Sequence, residues 1–178
     1  KVRPAVPPSD TLDVIHKWIL HRTSALAVEV DRALSSYRYD VAADRLYHFF
    51  WHEYADWYIE LVKPALQGSD EERAPALAVL LEVHDRTLRM LHPFIPFVTE
   101  EIWQVLPPHE DDRLSLGDES RTITRSAYPT AVPHWQNGDA VVTMQLLQDV
   151  VTVVRTVRSE WGVPPSNRVT AVIQGAND

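Results

Sequence analysis

Pro93 and Pro96 constrain the fold of this chain more than any other pair of residues. Proline lacks the amide hydrogen a helix interior needs, and its fixed φ suits it to a helix's first turn. The stretch Leu91–Gln104, Leu-His-Pro-Phe-Ile-Pro-Phe-Val-Thr-Glu-Glu-Ile-Trp-Gln, therefore reads as one helix ending and another beginning. Glu100 and Glu101 fall near the positive end of the second helix, where carboxylates are favoured. Leu91, Phe94, Phe97, Ile102 and Trp103 supply the apolar mass expected to fix the corner. His92 stands at the end of the first helix, where its ring can bond free carbonyls.

Helical periodicity continues on both sides of this corner. Residues 1–9, with Pro4, Pro7 and Pro8, read as an extended lead-in. Asp10 is placed to cap a helix reaching about Ser36, with Val14, Trp18, Leu26, Val30 and Leu34 along one side. Asp40 can cap a second helix that runs to Lys63 and is bounded by Pro64. Its expected inward stripe is Ala42, Leu46, Phe49, Phe50, Trp57 and Leu61. Ser69 and Glu72 form a capping box for a third helix, which runs to about Met90 with Leu77, Leu80, Leu81, His84, Leu88 and Leu91 on one face. A fourth helix follows Pro96 to about Leu106.

Residues 107–138 read as a long irregular connector that packs Ile123, Tyr128 and Trp135 against the helices. Asp139 is placed to cap a fifth helix carrying Leu147, Val150, Val151, Val154, Val157 and Trp161, with Gly162 as its C′ residue. Arg168–Gln174 looks like a short strand. The expectation is an all-α fold: an antiparallel four- to five-helix bundle with a long irregular connector and a short C-terminal β element. It divides into the lead-in at 1–9, the helical domain at 10–161 and the start of an α/β segment at 162–178.

A chain of 178 residues suits one domain with a real core. It has no cysteine, which excludes disulfides and thiolate metal sites. No apolar run approaches the roughly 18 residues that span a bilayer, and no signal-peptide pattern opens the chain. It begins at Lys1 without Met and closes on a polar Gln-Gly-Ala-Asn-Asp, so a piece of a longer protein is expected. A cytoplasmic location is compatible with all of this.

The net charge of −8 argues against a general polyanion binder, but its distribution softens the objection. Residues 1–69 hold 8 basic and 9 acidic groups, residues 70–119 hold 4 and 12, and residues 120–178 hold 5 and 4. The acidity sits in the middle, so a nucleic acid would have to meet the first or last third. In the first third, Lys1, Arg3, Lys17, His21, Arg22 and Arg38 gather around the first helix and the turn after it. Tyr37 and Tyr39 lie in that turn, giving the chain's best mixture of cations and stackable rings. Trp18 also belongs to the apolar stripe, which favours burial over stacking. Arg155 and Arg158 share a face of the fifth helix, and Arg168 follows. They make either a solvated face with local ion pairs, such as to Glu160, or a phosphate-contacting edge.

His48 and His52 stand four residues apart beside Glu53, a spacing that could bring two imidazoles to one metal. No third ligand follows at short range, so exposed or partner-facing histidines are expected and no metal. Glu53, Asp56 and Glu60 lack a nucleophile or a glycine-rich phosphate loop beside them. They are expected to be structural, with Asp56 or Glu60 bonded to an Arg or an indole N–H, and Trp57 in the core. His84 reads as a satisfied core histidine.

Three of these stretches resemble one family in the same order. Leu91–Gln104 is similar to a segment of the anticodon-binding domain of class I aminoacyl-tRNA synthetases. Tyr37–Pro64, with Phe-Phe-Trp-His-Glu and Asp-Trp-Tyr-Ile-Glu, resembles the domain's aromatic helix in the valyl form. Val153–Val163, with Arg155, Arg158, Glu160 and the following Pro164-Pro165, resembles its next helix and exit. Trp18-Ile-Leu-x-Arg22 fits the first helix more loosely, and the isoleucyl and leucyl forms usually differ at His92 and Thr99-Glu100. The resemblance implies tRNA, valine-specific, as partner, together with a catalytic domain of the same parent chain. The class I signatures His-x-Gly-His and Lys-Met-Ser-Lys-Ser are absent from these 178 residues, so no catalytic residue is expected here. ATP and Mg would belong to the parent's catalytic domain, with no cofactor in this part.

Overall fold

The proline corner forms as its chemistry requires, and it joins two of the helices of an all-α bundle. The computed structural model describes residues 3–108, 122–164, 166–170 and 172. Helix α1 spans Val14–Ser35, and the side chain of Asp13 caps it by accepting from the His16 N–H at 3.0 Å. Asp10 instead lies in a short 3₁₀ turn, Ser9–Thr11. The chain must redirect there to bury Leu12 before the helix begins.

The second rod is continuous but has three parts: α2 (Tyr39–His48), a π-helical stretch (Phe49–Ile59) and α3 (Glu60–Gln67). In the π stretch each turn takes more residues, so the inward face rotates relative to an α-helix. Ala42 and Leu46 are buried as expected, but from the π stretch onward the buried positions are Phe49, Tyr54, Tyr58 and Val62, whereas Phe50, Trp57 and Leu61 are only half-buried. The wide register stacks ring on ring, Phe49 to Tyr54 at 6.5 Å and Tyr54 to Tyr58 at 6.1 Å. Both phenols are anchored across the bundle. Tyr58 shares a 3.0 Å hydrogen bond with His16 Nδ1 and Tyr54 another with His84 Nδ1, so His84 is the satisfied histidine expected. The rod runs one turn past Pro64 because Val62 and Leu66 continue its packing.

Helix α4, Asp70–Leu91, opens on the expected capping box: Glu72 N–H donates to Ser69 Oγ at 3.3 Å and Ser69 N–H to Glu72 Oε2 at 2.9 Å. Its face in the main core is Ala76, Val79, Val83 and Met90, and of the expected leucines only Leu88 is buried, in a second cluster. Small side chains let α4 approach its neighbours closely, which leaves Leu77 exposed and Leu80, Leu81 and Leu91 on the rim. Helix α5, Pro96–Val105, buries Trp103, which forms a satellite cluster with Leu88 and Ile123. Phe97, expected in the corner, is 91% exposed, and Ile102 also faces outward. His92 does not cap carbonyls, because turn amides already take the Leu88 and Leu91 oxygens. Its ring bonds Thr99 Oγ1 at 2.8 Å and Thr124 Oγ1 at 3.1 Å.

The connector lays Ile123, Tyr128 and Trp135 on the bundle as expected. Helix α6, Gly138–Glu160, is capped by Asn137, whose Oδ1 accepts from the Ala140 N–H at 2.9 Å, and not by Asp139. It runs back along α1 yet buries only Ala140 and Met144. The expected stripe is not core: Leu147, Val157 and Trp161 are exposed, and Val150, Val151 and Val154 are only half-buried. By length and composition alone, with a mean hydropathy of 1.3, α6 would pass as a membrane span. Its Ala140 and Met144, however, complete the bundle core. Gly162 takes φ 63° and closes the helix as predicted. Of the strand expected at Arg168–Gln174, Arg168–Thr170 and Val172 form none and residues 171, 173 and 174 lie outside the described residues; no strand occurs among the described residues. A strand needs a paired ladder, and the described residues offer none.

Candidate nucleic-acid interface

The residues singled out for cation and ring chemistry fall into three places. Lys1 lies outside the described residues. Arg3 does not reach the surface. It is 6% exposed and pairs through Nη1 with Glu82 Oε2 at 3.2 Å and through Nη2 with Asp85 Oδ1 at 3.0 Å. Arg86 joins Glu82 at 2.7 Å, Arg89 joins Asp85, and Trp103 Nε1–H donates to Asp85 at 2.7 Å. Burial alone would raise the Asp85 carboxyl, but the Arg89 and Arg3 charges and the hydrogen bonds outweigh it and hold it below its ordinary range. Arg3 therefore fastens the lead-in to α4, with its own N–H on the Pro108 carbonyl, and is a correction to the expected RNA-facing set.

His21 is the second correction. Its Nδ1 accepts the Asn137 N–H at 2.9 Å, which ties α1 to the start of α6. Burial and the neighbouring Arg22 lower its pKa, so it holds this bond as a neutral ring rather than a phosphate-seeking cation. At the far end of α1 the picture is different. Tyr37 is 78% exposed and adopts φ 57°, unusual for a residue with a side chain. Tyr39 is also exposed and meets Tyr37 edge-on at 6.5 Å. Arg38 lies between them in sequence and grips Asp40 with both arms, at 3.0 and 2.9 Å, holding that carboxyl down at about 2. Arg32, in the last turn of α1, is a further exposed cation. Sequence reasoning passed over it, although its turn position was the signal.

The third place lies between α1, the π stretch and α6. Arg22 forms a bidentate pair with Glu53, Nε to Oε2 at 2.6 Å and Nη2 to Oε1 at 2.9 Å. The pair is half-buried and makes one wall of a groove of about 420 Å³, with buried Trp18 beside it. Across the groove α6 presents Val141, Gln145 and Gln148. Farther along α6, the Arg155 guanidinium sits 5.6 Å above the Trp57 ring, which is half-buried and not a core residue. Lys17 is half-buried on α1 and makes no ion pair among the described residues. Arg158 is occupied: it donates to the Pro164 and Asn167 carbonyls and staples the chain after α6.

The groups weighed as metal ligands or acid–base pairs have local partners. His48 lies 3.4 Å from Asp44, His52 lies 3.5 Å from Asp56, and Glu60 pairs with Lys63. The indole acceptor turns out to be Asp85, not Asp56 or Glu60.

The family model for the anticodon-binding domain of tRNA ligases matches residues 16–173 of this helical chain. The chain belongs to that family. It is 40% identical over 162 residues to the valine–tRNA ligase of Nitratidesulfovibrio vulgaris, which covers 91% of this chain and 17% of that protein. It is 38% identical to the valine–tRNA ligase of Symbiobacterium thermophilum, covering 93% of this chain and 19% of the relative. With the valine–tRNA ligase of Geobacter sulfurreducens the figures are 40%, 92% and 18%. This anticodon-binding domain thus spans less than a fifth of the length of the curated relatives it matches. Its matched region takes in α1 to α6, including every exposed candidate named above.

Proposed function

We propose that this chain is the part of a valine–tRNA ligase that docks against the anticodon stem-loop of its tRNA. The observation that carries the reading is the family match over residues 16–173, together with relatives about 40% identical that are valine–tRNA ligases. The mechanism is recognition without chemistry: cations fix the RNA backbone while rings and helix-end groups meet unstacked bases. Ligation of valine, with its ATP and Mg, belongs on this reading to a catalytic domain elsewhere in a longer parent chain in the cytoplasm. Exposed apolar side chains on α5 and α6, such as Phe97 and Trp161, suit contact with the rest of that parent.

Of the candidate contacts, the exposed Tyr37, Arg38 and Tyr39 at the α1–α2 corner, Arg22 in the groove wall, Lys17 on α1 and Arg155 on α6 remain the RNA-facing set. Titration with a valine-tRNA anticodon stem-loop, followed by amide resonances, tests the reading against a hairpin with a changed anticodon. The expected affinity is no tighter than about 10⁻⁴–10⁻⁶ M at physiological salt, with binding weakening as salt rises. An absence of shifts with either hairpin would sink the proposal in favour of a bundle serving only protein contacts.

A further inference from the structure

Five charged side chains meet beneath the lead-in: Arg3 from the lead-in itself, and Glu82, Asp85, Arg86 and Arg89 from α4. Asp85 is the hub. Its Oδ1 takes Arg3 Nη2 at 3.0 Å and the Trp103 indole N–H at 2.7 Å, and its Oδ2 takes Arg89. Arg86 and Arg89 donate in turn to the Thr130 and Ala127 carbonyls, each at 3.0 Å. The cluster thus joins the lead-in, α4, α5 and the connector. It is a poor source of stability. Ions taken out of water lose as much in hydration as their attraction returns, and apolar side chains of the same volume serve a fold as well. Arg3 Nε and Arg89 Nε are also buried with no hydrogen bond among the described residues.

Within α4 the charges already balance, because Glu82 has Arg86 at 2.7 Å and Asp85 has Arg89. Arg3 is the surplus charge. What it supplies is direction. Its planar fork reaches Glu82 and Asp85, one helical turn apart, and two points of attachment fix an angle that an apolar plug would leave loose. Pro4, Pro7 and Pro8 stiffen the lead-in behind it. Leu12 is buried at the far end, and Val6 packs on the core between. We infer that Arg3 is a positioning residue: it fixes the angle at which the chain enters the bundle, and so the attitude of the RNA-docking bundle to what precedes it in the parent. That use rests on the RNA-docking reading above, under which the bundle and a catalytic domain must meet the two ends of one tRNA. The fixed angle itself is a property of this chain and can be measured on it.

The chain has no cysteine, so Ala5→Cys on the lead-in and Asp31→Cys on α1, both exposed, give two clean sites for nitroxide labels. Double electron–electron resonance of the labelled protein, without RNA, is expected to show one narrow distance while Arg3 is in place. Arg3→Met should roughly double the width of that distribution and move the melting temperature by no more than about 4 °C. Arg3→Lys keeps the charge but reaches one carboxylate at a time, and should broaden the distribution as much. A narrow distribution in either variant, or a broad one with Arg3 in place, overturns the assignment, since the angle would then not depend on the fork. A much larger fall in melting temperature overturns it too, because Arg3 would then serve stability. Hairpin affinity separates this result from the RNA reading. It should be equal with Arg3 and with Arg3→Met, and a hairpin that binds neither removes the reading, and with it the use of the fixed angle, but not the angle.

Discussion

Helices α1 and α6 are nearly the same length and lie side by side, yet they stand in opposite relation to the core. Ten residues of α1 are buried, against two of α6. α1 packs on α2, the π stretch, α4 and α6 at once, so every face of it that matters is covered. α6 touches the bundle chiefly through α1 and leaves Val142, Leu146, Val153 and Trp161 in solvent. Both helices carry Val, Leu and Ala. What differs is the number of neighbours each element has, and that number decides whether a periodic stripe becomes a core or an unfilled contact surface.

The largest difference is expected on the α4 side of α1. Asp85→Asn leaves Arg3 and Arg89 buried beside a neutral amide, and breaking such a cluster costs about 3–5 kcal/mol. Asp149→Asn on α6, an exposed carboxylate, is expected to cost less than about 0.5 kcal/mol. Urea unfolding of both variants measures the gap, and comparable losses would erase the distinction between the two flanks. Next in size is Leu26→Ala in α1, where a fully covered side chain is lost at about 2–5 kcal/mol. Val153→Ala in α6 removes a side chain already in water and should change the midpoint little.

Much of this arrangement was legible in the sequence wherever one short segment determines it. The Ser69–Glu72 box, the Pro96 helix start and the Gly162 helix end each depend on a few neighbouring residues. The stripe of the second rod was misread because an α period was assumed through Phe49–Ile59, where the π register turns Tyr54 and Tyr58 inward instead. A hydroxyl on a ring at a core position, opposite a histidine, was the available hint. Arg3 looked like a free cation because its carboxylate partners lie about 80 residues away, on α4. The groove was invisible for the same reason. Trp18 and Arg22 were on one helix, Glu53 on a second and Gln148 on a third, and no local spacing links them.

Acid should act on the α1 side first. Burial is the main reason that His16, His21 and His84 all fall below the ordinary value of 6.5. The folded protein therefore takes up fewer protons than the unfolded chain near that pH. The stability these rings contribute is complete above pH 6.5 and is lost as pH falls through their folded values. Melting temperature is expected to decline between about pH 7 and pH 5. His84→Gln, which cannot protonate, should flatten part of that decline. α6 carries no histidine, so it responds only through His21, whose protonation removes the acceptor for Asn137 N–H. A flat profile would mean that the three imidazoles are solvated.

The smallest effects come from the ends of the same two helices, which close with one motif. In α1, Tyr37 N–H meets Leu34 O at 3.0 Å and Arg38 N–H meets Ala33 O at 2.8 Å. In α6, Gly162 N–H meets Ser159 O at 3.2 Å and Val163 N–H meets Arg158 O at 2.8 Å. The positive φ is 57° at Tyr37 and 63° at Gly162, but only glycine adopts it without a Cβ penalty. Tyr37→Gly should therefore relieve about 1–2 kcal/mol of strain, partly offset by glycine's freedom in the unfolded chain, for a net gain of about 0.5–1 kcal/mol. Gly162→Ala introduces the same strain where no atom crowds the new Cβ, so its cost is purely conformational. Because the last turns of α6 have little packing, that cost can be shed by fraying. Global unfolding of Gly162→Ala should then barely change, while amide exchange over residues 155–160 accelerates. The α1 end has no such escape, since Ala33 and Val30 are held in the core. Its strain must appear in the global stability, and a Tyr37→Gly variant no more stable than wild type would show that α1 frays as freely as α6.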